Sequence, residues 1–381
     1  MSQLSLLTTR RGAALVALAG LLAVTGCGGS PSAGSPSAES PSVATDGSGA
    51  AISADRCAKN RAAGTITYLS GYQFQSSVSI LEYIAAKDLG YFDDLCLDVQ
   101  LKPGSGDTAQ NTKLLASGQA TISAVSMQDV IQARANGIDI TGISSYSNAG
   151  LDILMTNPDV TDLKQLDGKV VGHKGYVPAS VRAMVEKAGV DWSSVQLVKE
   201  GYDPSVLPRR QNDLAALTGF ISNEPNQLEA AGTPVTVWQP VTYGIPSSIG
   251  AMAVNPAFAE AHPTAVEDVL RAALHAYATC SADAAATATC VGFAKDLSGA
   301  TYDTDLNEKI WTTETSVVAD NPTPGQPLGG IDPQNVTDLV QMLRQYDIVP
   351  STVTPEVAAG WFDNSFVTSV YSGGTLVWPA P

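Results

Sequence analysis

Between residues 65 and 238 the chain alternates two spacings of apolar residues. The run TITYLS at 65–70 is rich in β-branched and aromatic side chains and reads as a strand. In SSVSILEYIAAKDLG, which follows, Ile80, Leu81, Ile84 and Ala85 recur at helical spacing and Gly90 supplies the stop. The exchange continues. CLDVQL alternates as a strand, TAQNTKLLASG reads helical, TISAV extended, MQDVIQARANG helical and IDITGIS extended. After a bridging strand, LDILMT at 151–156, the alternation restarts with GKVVG and a helix whose stripe is Val181, Met184, Val185 and Ala188. VQLVK, a partly helical DPSVLPRRQN, LAALTGF, EPNQLEAAG and PVTVW complete it. Strand and helix in alternation predict an open α/β sheet, and the restart predicts a second one. A second hinge strand is expected at 248–255. Beyond it the chain is mainly helical, with Val266, Val269, Leu270, Ala273 and Leu274 on one stripe, and this last third is expected to pack on the first lobe. The expected lobes are residues 56–150 with 251–381, and residues 151–250.

The segment ahead of these lobes changes the picture. Residues 1–26 carry Arg10 and Arg11, an apolar stretch at 12–24 and small residues before Cys27, the pattern of an export signal rather than of a membrane span. The arginine pair also admits a twin-arginine signal. LAVTGC at 22–27 resembles the bacterial lipobox, whose cysteine carries a lipid, so Cys27 is the expected membrane attachment. Residues 27–55 repeat Ser, Pro, Ala and Gly with almost no large apolar side chain, too little to bury a core, and are expected to act as a flexible tether reaching roughly 30 Å. With the two arginines of the signal removed, 19 basic residues face 37 acidic ones, a net charge of −18 that argues against nucleic acid or anionic lipid as a partner. Four further cysteines, Cys57, Cys96, Cys280 and Cys290, suit disulfides in an oxidising compartment. Three pairings are open; we favour Cys57 with Cys96, which ties the N-terminal segment to a nearby strand, and Cys280 with Cys290, which closes a short loop. A metal site is disfavoured, with no Cys-x-x-Cys and only His173, His262 and His275.

Candidate chemistry gathers where strands end. No Gly-x-Ser-x-Gly, P-loop, His-Glu-x-x-His or Gly-x-Gly-x-x-Gly occurs, so no catalytic residue and no cofactor are assigned. In open α/β sheets ligands bind at the carboxyl ends of strands. SGYQFQSS offers Tyr72 and Phe74 for stacking and Gln73 for hydrogen bonding, with packing as the plain alternative for one of the aromatics. VSMQD offers Ser126 and Met127, although helix capping explains the serine equally well. HKGYVPAS places Gly175 and Tyr176 at a turn, and EGYDPSV places Tyr202 and Asp203, where capping by the aspartate is an even alternative. LTGFISNEP stops an apolar run at Ser222, Asn223 and Glu224, with Pro225 expected at the first helical position. Glu224 there either complements the helix dipole or accepts from an amino-substituted heterocycle.

AAKDLGYFDDLCLDVQLKPGSGDTAQNTKLLASGQATISAVSMQDVIQARANG and DLKQLDGKVVGHKGYVPASVRAMVEKAGVD resemble the ABC-transporter solute-binding proteins of the nitrate, sulfonate, taurine and thiamine-pyrimidine type. The likeness spans residues 65–254 well and the helical last third loosely. It implies a two-lobed, type II periplasmic-binding-protein fold with two hinge strands, not an enzyme. It also implies a monomer that binds a small molecule and delivers it to a membrane permease with its ATPase. Ser-Asn-Glu-Pro is similar to the segment of members that bind thiamine-pyrimidine precursors. On that likeness Glu224 receives a ligand amino group, Asn223 its polar edge, and Tyr72, Tyr176 and Tyr202 stack. A binder of sulfonate, taurine or nitrate is the alternative, using the helix starts near Gly175 and Ser126. Pyrimidine synthases of the same fold are a more distant one, since this chain lacks their cysteine cluster and carries an export signal.

Overall fold

The computed structural model describes residues 52–300 and 302–381 and, as backbone, the short strand β1 (Thr45–Gly47). The signal segment, Cys27 and most of the Ser/Pro/Ala stretch lie outside the described residues. The strands that follow are β2 (Thr65–Leu69), β3 (Asp98–Lys102), β4 (Ile122–Val125), β5 (Thr141–Ser144), β6 (Asp152–Thr156), β7 (Val170–His173), β8 (Gln196–Lys199), β9 (Leu214–Phe220), β10 (Thr236–Trp238) and β11 (Ala251–Val254). They form two five-stranded sheets, ordered β3-β2-β4-β11-β5 and β8-β7-β9-β6-β10. The two orders are the same: second strand, first, third, a crossing strand, fourth. In each sheet the first three strands run parallel, joined by helices because a parallel return cannot be made by a tight turn. The crossing strand is antiparallel to both neighbours and comes from the other half of the chain. β11 returns into the first sheet, and β6 leaves the first half to enter the second.

Burial follows the apolar periodicity. Ile66, Tyr68, Val99 and Ile122 of the first sheet pack with Leu81 and Ile84 and with the Val266, Val269, Leu270, Ala273 and Leu274 stripe of the helix Pro263–Cys280. Tyr68 and Tyr83 stack with ring centroids 3.9 Å apart. The second sheet is covered on both faces, by Val181, Met184 and Val185 against Val171, and by Val206, Leu207 and Leu228 against Ile153, Met155 and Leu217. Runs that are apolar on both faces are what a sheet buried on two sides requires.

The last third does not pack on the first lobe alone. The helices Pro263–Cys280 and Thr304–Asp320 do so, through Leu270, Trp311 and Val318. The helix Pro333–Gln345 sends Val336, Leu339, Val340 and Leu343 into a core that Met127 and Ile131 of the first lobe share with Met184 and Val185 of the second, and the Tyr346 hydroxyl donates to the Ala183 carbonyl at 3.4 Å. Its stripe is legible in sequence, but the neighbour that covers a stripe is not. Cys57 is bonded to Cys96 and Cys280 to Cys290. The first bond, with Asn60 donating to the Leu95 carbonyl and to Asp268, fastens the helix Ala54–Ala62 to the first lobe. At the C-terminus β12 (Tyr371–Ser372) and β13 (Thr375–Trp378) form a hairpin, and β1 pairs parallel with β13.

Candidate functional site

The first half contributes three loops at strand ends. After β2, the Tyr72 ring lies so close to Gly106 that an added Cβ there would meet it at 2.9 Å, and Tyr72 stays 36% exposed. Gln73 donates to the Gly104 carbonyl at 3.0 Å, which ties the loops after β2 and β3 together. Phe74 packs against the first core, the plain alternative for one of the two aromatics. After β4, Ser126 caps the helix Met127–Ala135, its hydroxyl accepting from the Asp129 N–H at 3.0 Å while the Asp129 carboxylate accepts from the Ser126 N–H at 2.8 Å. The Met127 N–H donates to the Ser248 hydroxyl. Three donors at this helix start are therefore taken by the protein's own oxygens. Met127 itself is 1% exposed and belongs to a core rather than to a cleft, because a thioether gains more from close packing than from water.

The second half supplies the facing wall. At the end of β9, Glu224 opens the helix Glu224–Ala230 with Pro225 one position later than expected. The Glu224 carboxylate is 1% exposed, accepts from the Phe220 N–H at 2.7 Å and forms an ion pair with Lys174 from the loop after β7. It is turned away from solvent and paired with Lys174. The ammonium sits 4.9 Å from the Phe220 ring centroid and 5.5 Å from that of Tyr202, within cation–π range of both. Burial lowers Lys174 to about 8, and Asp152 pulls it back up. Asp152, at the start of β6, is raised to about 6 by burial against a hydrogen bond from Ser180, with Asp129 of the first half adding to the rise. Tyr202 and Tyr176 are 62% and 66% exposed. Tyr176 is nevertheless crowded: desolvation and then the carboxylates of Asp152, Asp129 and Asp107 raise its phenol. Across the gap Tyr72 is raised by burial and then by Tyr202.

The structure thus brings together Tyr72, Ser126, Tyr176, Tyr202 and the Lys174–Glu224 pair around one cleft, with Gly175 open on the same loop. It turns others elsewhere. Asp203 caps the short turn Pro204–Val206 by accepting from the Ser205 N–H at 2.9 Å and pairs with Arg209 at 3.2 Å, the capping alternative. Ser222 is 2% exposed and donates to Glu314 at 2.7 Å. Asn223 accepts from Gln227 at 2.8 Å. Sequence reasoning missed Lys174, Phe220, Asp107, Asp129 and Asp152. Lys174 stands beside Gly175 and Tyr176 in an already selected loop, whereas Asp152 has no local signal because its neighbours Ser180, Asp129 and Lys174 all lie far from it in sequence.

Comparison with known proteins agrees with this frame. The family model described as NMT1/THI5 like matches residues 77–286. The formylaminopyrimidine-binding protein of Halalkalibacterium halodurans is 27% identical over 212 residues, 54% of this chain and 63% of that protein, so the match spans slightly less than two thirds of that relative. Among solved structures, the alkanesulfonate-binding protein SsuA from Xanthomonas axonopodis pv. citri bound to MOPS superposes with a TM-score of 0.56 at 13% identity, over 79% of this chain and 98% of that one. The periplasmic nitrate-binding protein NrtA from Synechocystis PCC 6803 gives 0.54 at 12% identity, over 79% and 86%. At such identities the likeness establishes the fold, that of the two-lobed type II periplasmic binding proteins.

Proposed function

The chain belongs to the NMT1/THI5-like family, and from that premise we propose that it is the extracytoplasmic solute-binding component of an ABC importer that captures a small planar nitrogen heterocycle between its two lobes. The observation that carries the ligand class is the wall composition. Three exposed tyrosines, Tyr72 from one lobe and Tyr176 and Tyr202 from the other, surround a cleft whose charged neighbours include Asp107, Asp129, Asp152 and Lys174, the last already paired with Glu224. Flat aromatic walls suit a flat ring, and carboxylates suit amino groups on its edge. The formylaminopyrimidine-binding relative supports the same class. The anion reading draws support from Lys174 and from the uncapped start of the helix Ala179–Lys187 beyond Gly175, whereas the helix start at Ser126 already carries Asp129.

Function here is differential affinity. A ligand touching both lobes stabilises their closed arrangement, and the closed pair of surfaces is what the permease and its ATPase meet. In this reading the protein works as a monomer without a cofactor, held at the membrane by a lipid on Cys27 and a tether through residue 55. Replacing Cys27→Ala should move the protein from the membrane fraction to the soluble one.

The deciding experiment is calorimetric titration of the protein lacking residues 1–26 with a formylaminopyrimidine, taurine, an alkanesulfonate and nitrate. Saturable binding of the pyrimidine, with a rise in melting temperature by mass action, is expected. Binding of the sulfonate or nitrate without the pyrimidine would replace the heterocycle by an anion, and no binding by any would remove the transport reading.

A further inference from the structure

Away from the cleft walls, a buried carboxylate joins the two lobes. Glu314 lies on the helix Thr304–Asp320, whose Trp311 and Val318 pack in the first core, and it is 1% exposed. Its Oε2 accepts from the Val78 N–H and the Ser77 hydroxyl, both at 2.7 Å, in the turn after β2. Its Oε1 accepts from the Ser222 hydroxyl, also at 2.7 Å. Ser222 belongs to the second lobe and stands two residues before Glu224, which holds Lys174 at the cleft. One carboxylate therefore holds a turn of the first lobe and the Ser222–Asn223–Glu224 loop of the second.

We propose that Glu314 is a proton-sensitive clamp between the lobes, a positioning residue that sets how readily the Ser222–Asn223–Glu224 loop stays docked on the first lobe. The proposal rests on the reading of the cleft as a ligand site opened and closed by lobe movement. The titratable groups on the elements around Glu314 are Glu82 and Tyr83 of the helix Leu81–Asp88, Tyr277 of the helix Pro263–Cys280, and Glu224, whose charge Lys174 matches. Among the described residues no ion pair reaches Glu314 or Glu82. Glu82 is 0% exposed, and burial raises it to about 8, so it keeps its proton through the neutral range and adds little charge beside Glu314. Burial raises Glu314 to about 7, against the hydrogen bonds from Ser222, Ser77 and Val78.

When the lobes part, water reaches the carboxyl and its affinity for a proton returns toward the ordinary range. The docked state is then the one that binds the proton more tightly, so protonation favours docking and ionisation favours release. The clamp holds at mildly acidic pH and loosens as pH rises through about 7. A surface slightly more acidic than its surroundings would load ligand more readily than an alkaline one.

The test separates the clamp from the identity of the ligand. Nitroxides on Lys113→Cys in the first lobe and Gln196→Cys in the second, both exposed positions, report the interlobe distance in the ligand-free protein by pulsed electron resonance. The distance distribution is expected to shift to longer values between about pH 6 and pH 8.5, and Glu314→Gln is expected to abolish the pH response. Ser222→Ala, which removes a single hydroxyl and keeps the test standing if the glutamine variant fails to fold, should give the long distance at both pH values. A pH-independent distance in the parent protein, or an unchanged pH response in Glu314→Gln or Ser222→Ala, overturns the clamp. If the formylaminopyrimidine binds, its affinity should fall on the order of tenfold over the same pH interval in the parent and stay level in Glu314→Gln. If it does not bind, the distances still decide the clamp.

Discussion

Lys174 and Glu224 show what burial does to a pair of side chains. Glu224 is 1% exposed and the Lys174 side chain 15%, so each relies on the other for the hydration it has lost. Replacing Lys174→Met leaves the carboxylate without its cation, and a loss of about 3 kcal/mol is expected in urea denaturation. Replacing Tyr202→Ala removes a cleft wall that carries no such internal duty, since the ring is 62% exposed. Affinity for a formylaminopyrimidine should fall roughly tenfold in calorimetry with little change in the urea midpoint, because aromatic stacking contributes about 1 kcal/mol beyond area burial. Tyr202→Phe should keep most of the affinity. Ser-Asn-Glu-Pro was legible as a special turn, but the inward direction of its carboxylate depends on Lys174, fifty residues earlier in the chain and adjacent only in space.

At the scale of elements, the two crossing strands matter most. β6 and β11 each leave one half of the chain and hydrogen-bond inside the sheet of the other, so the backbone between sheets is confined to short approach segments. Gly250, just before β11, has φ +68°, and a Cβ there would lie 2.5 Å from the Tyr146 ring. Both the left-handed backbone and the close ring require glycine. Gly250→Ala should cost about 2 kcal/mol and lower the melting temperature, with the loss felt at the hinge, and calorimetric melting beside a Gly64→Ala control checks it. Gly64 shares a positive φ but has nothing within 4 Å of the added carbon, so the difference isolates the ring contact. The strands and helices were readable as elements because their apolar periods are local. The placement of the helix Pro333–Gln345 in a core shared by both lobes was not, because its stripe would satisfy either of them.

Over the whole molecule, buried acids set the dependence of stability on pH. Burial raises Glu82 to about 8, Glu314 to about 7 and Asp152 to about 6. For each, the folded state holds its proton to higher pH than the unfolded chain, so the stability is fully present below the unfolded pKa near 4 and is lost as pH rises through the folded value. His275 acts in the opposite sense. Burial lowers it to about 4, so its contribution is present above about 6.5 and is lost as pH falls toward 4. Three carboxyls outweigh one imidazole. Stability to urea is expected to be greatest near pH 4 and to decline by several kcal/mol by pH 8.5, and Glu82→Gln should flatten the alkaline part of that curve. An optimum at or above pH 8 would show that these acids are not held protonated.

Periods of two and of 3.6 residues are properties of neighbouring positions, and so the strand and helix order, its restart into a second series, the turns that carry Tyr72, Tyr176 and Tyr202, and the chemistry open to the cysteines could all be read along the chain. Contacts between residues far apart in the chain have no such local trace. Glu224 turning inward to Lys174, Ser222 meeting Glu314, Asp129 filling the helix start behind Ser126, and Asp152 gathering charge from both halves each depend on how two sheets and a crossing backbone meet. Desolvation is the physical reason: which polar groups lose water is settled only when the lobes pack, and that loss decides which of them pair with one another and which remain for a ligand.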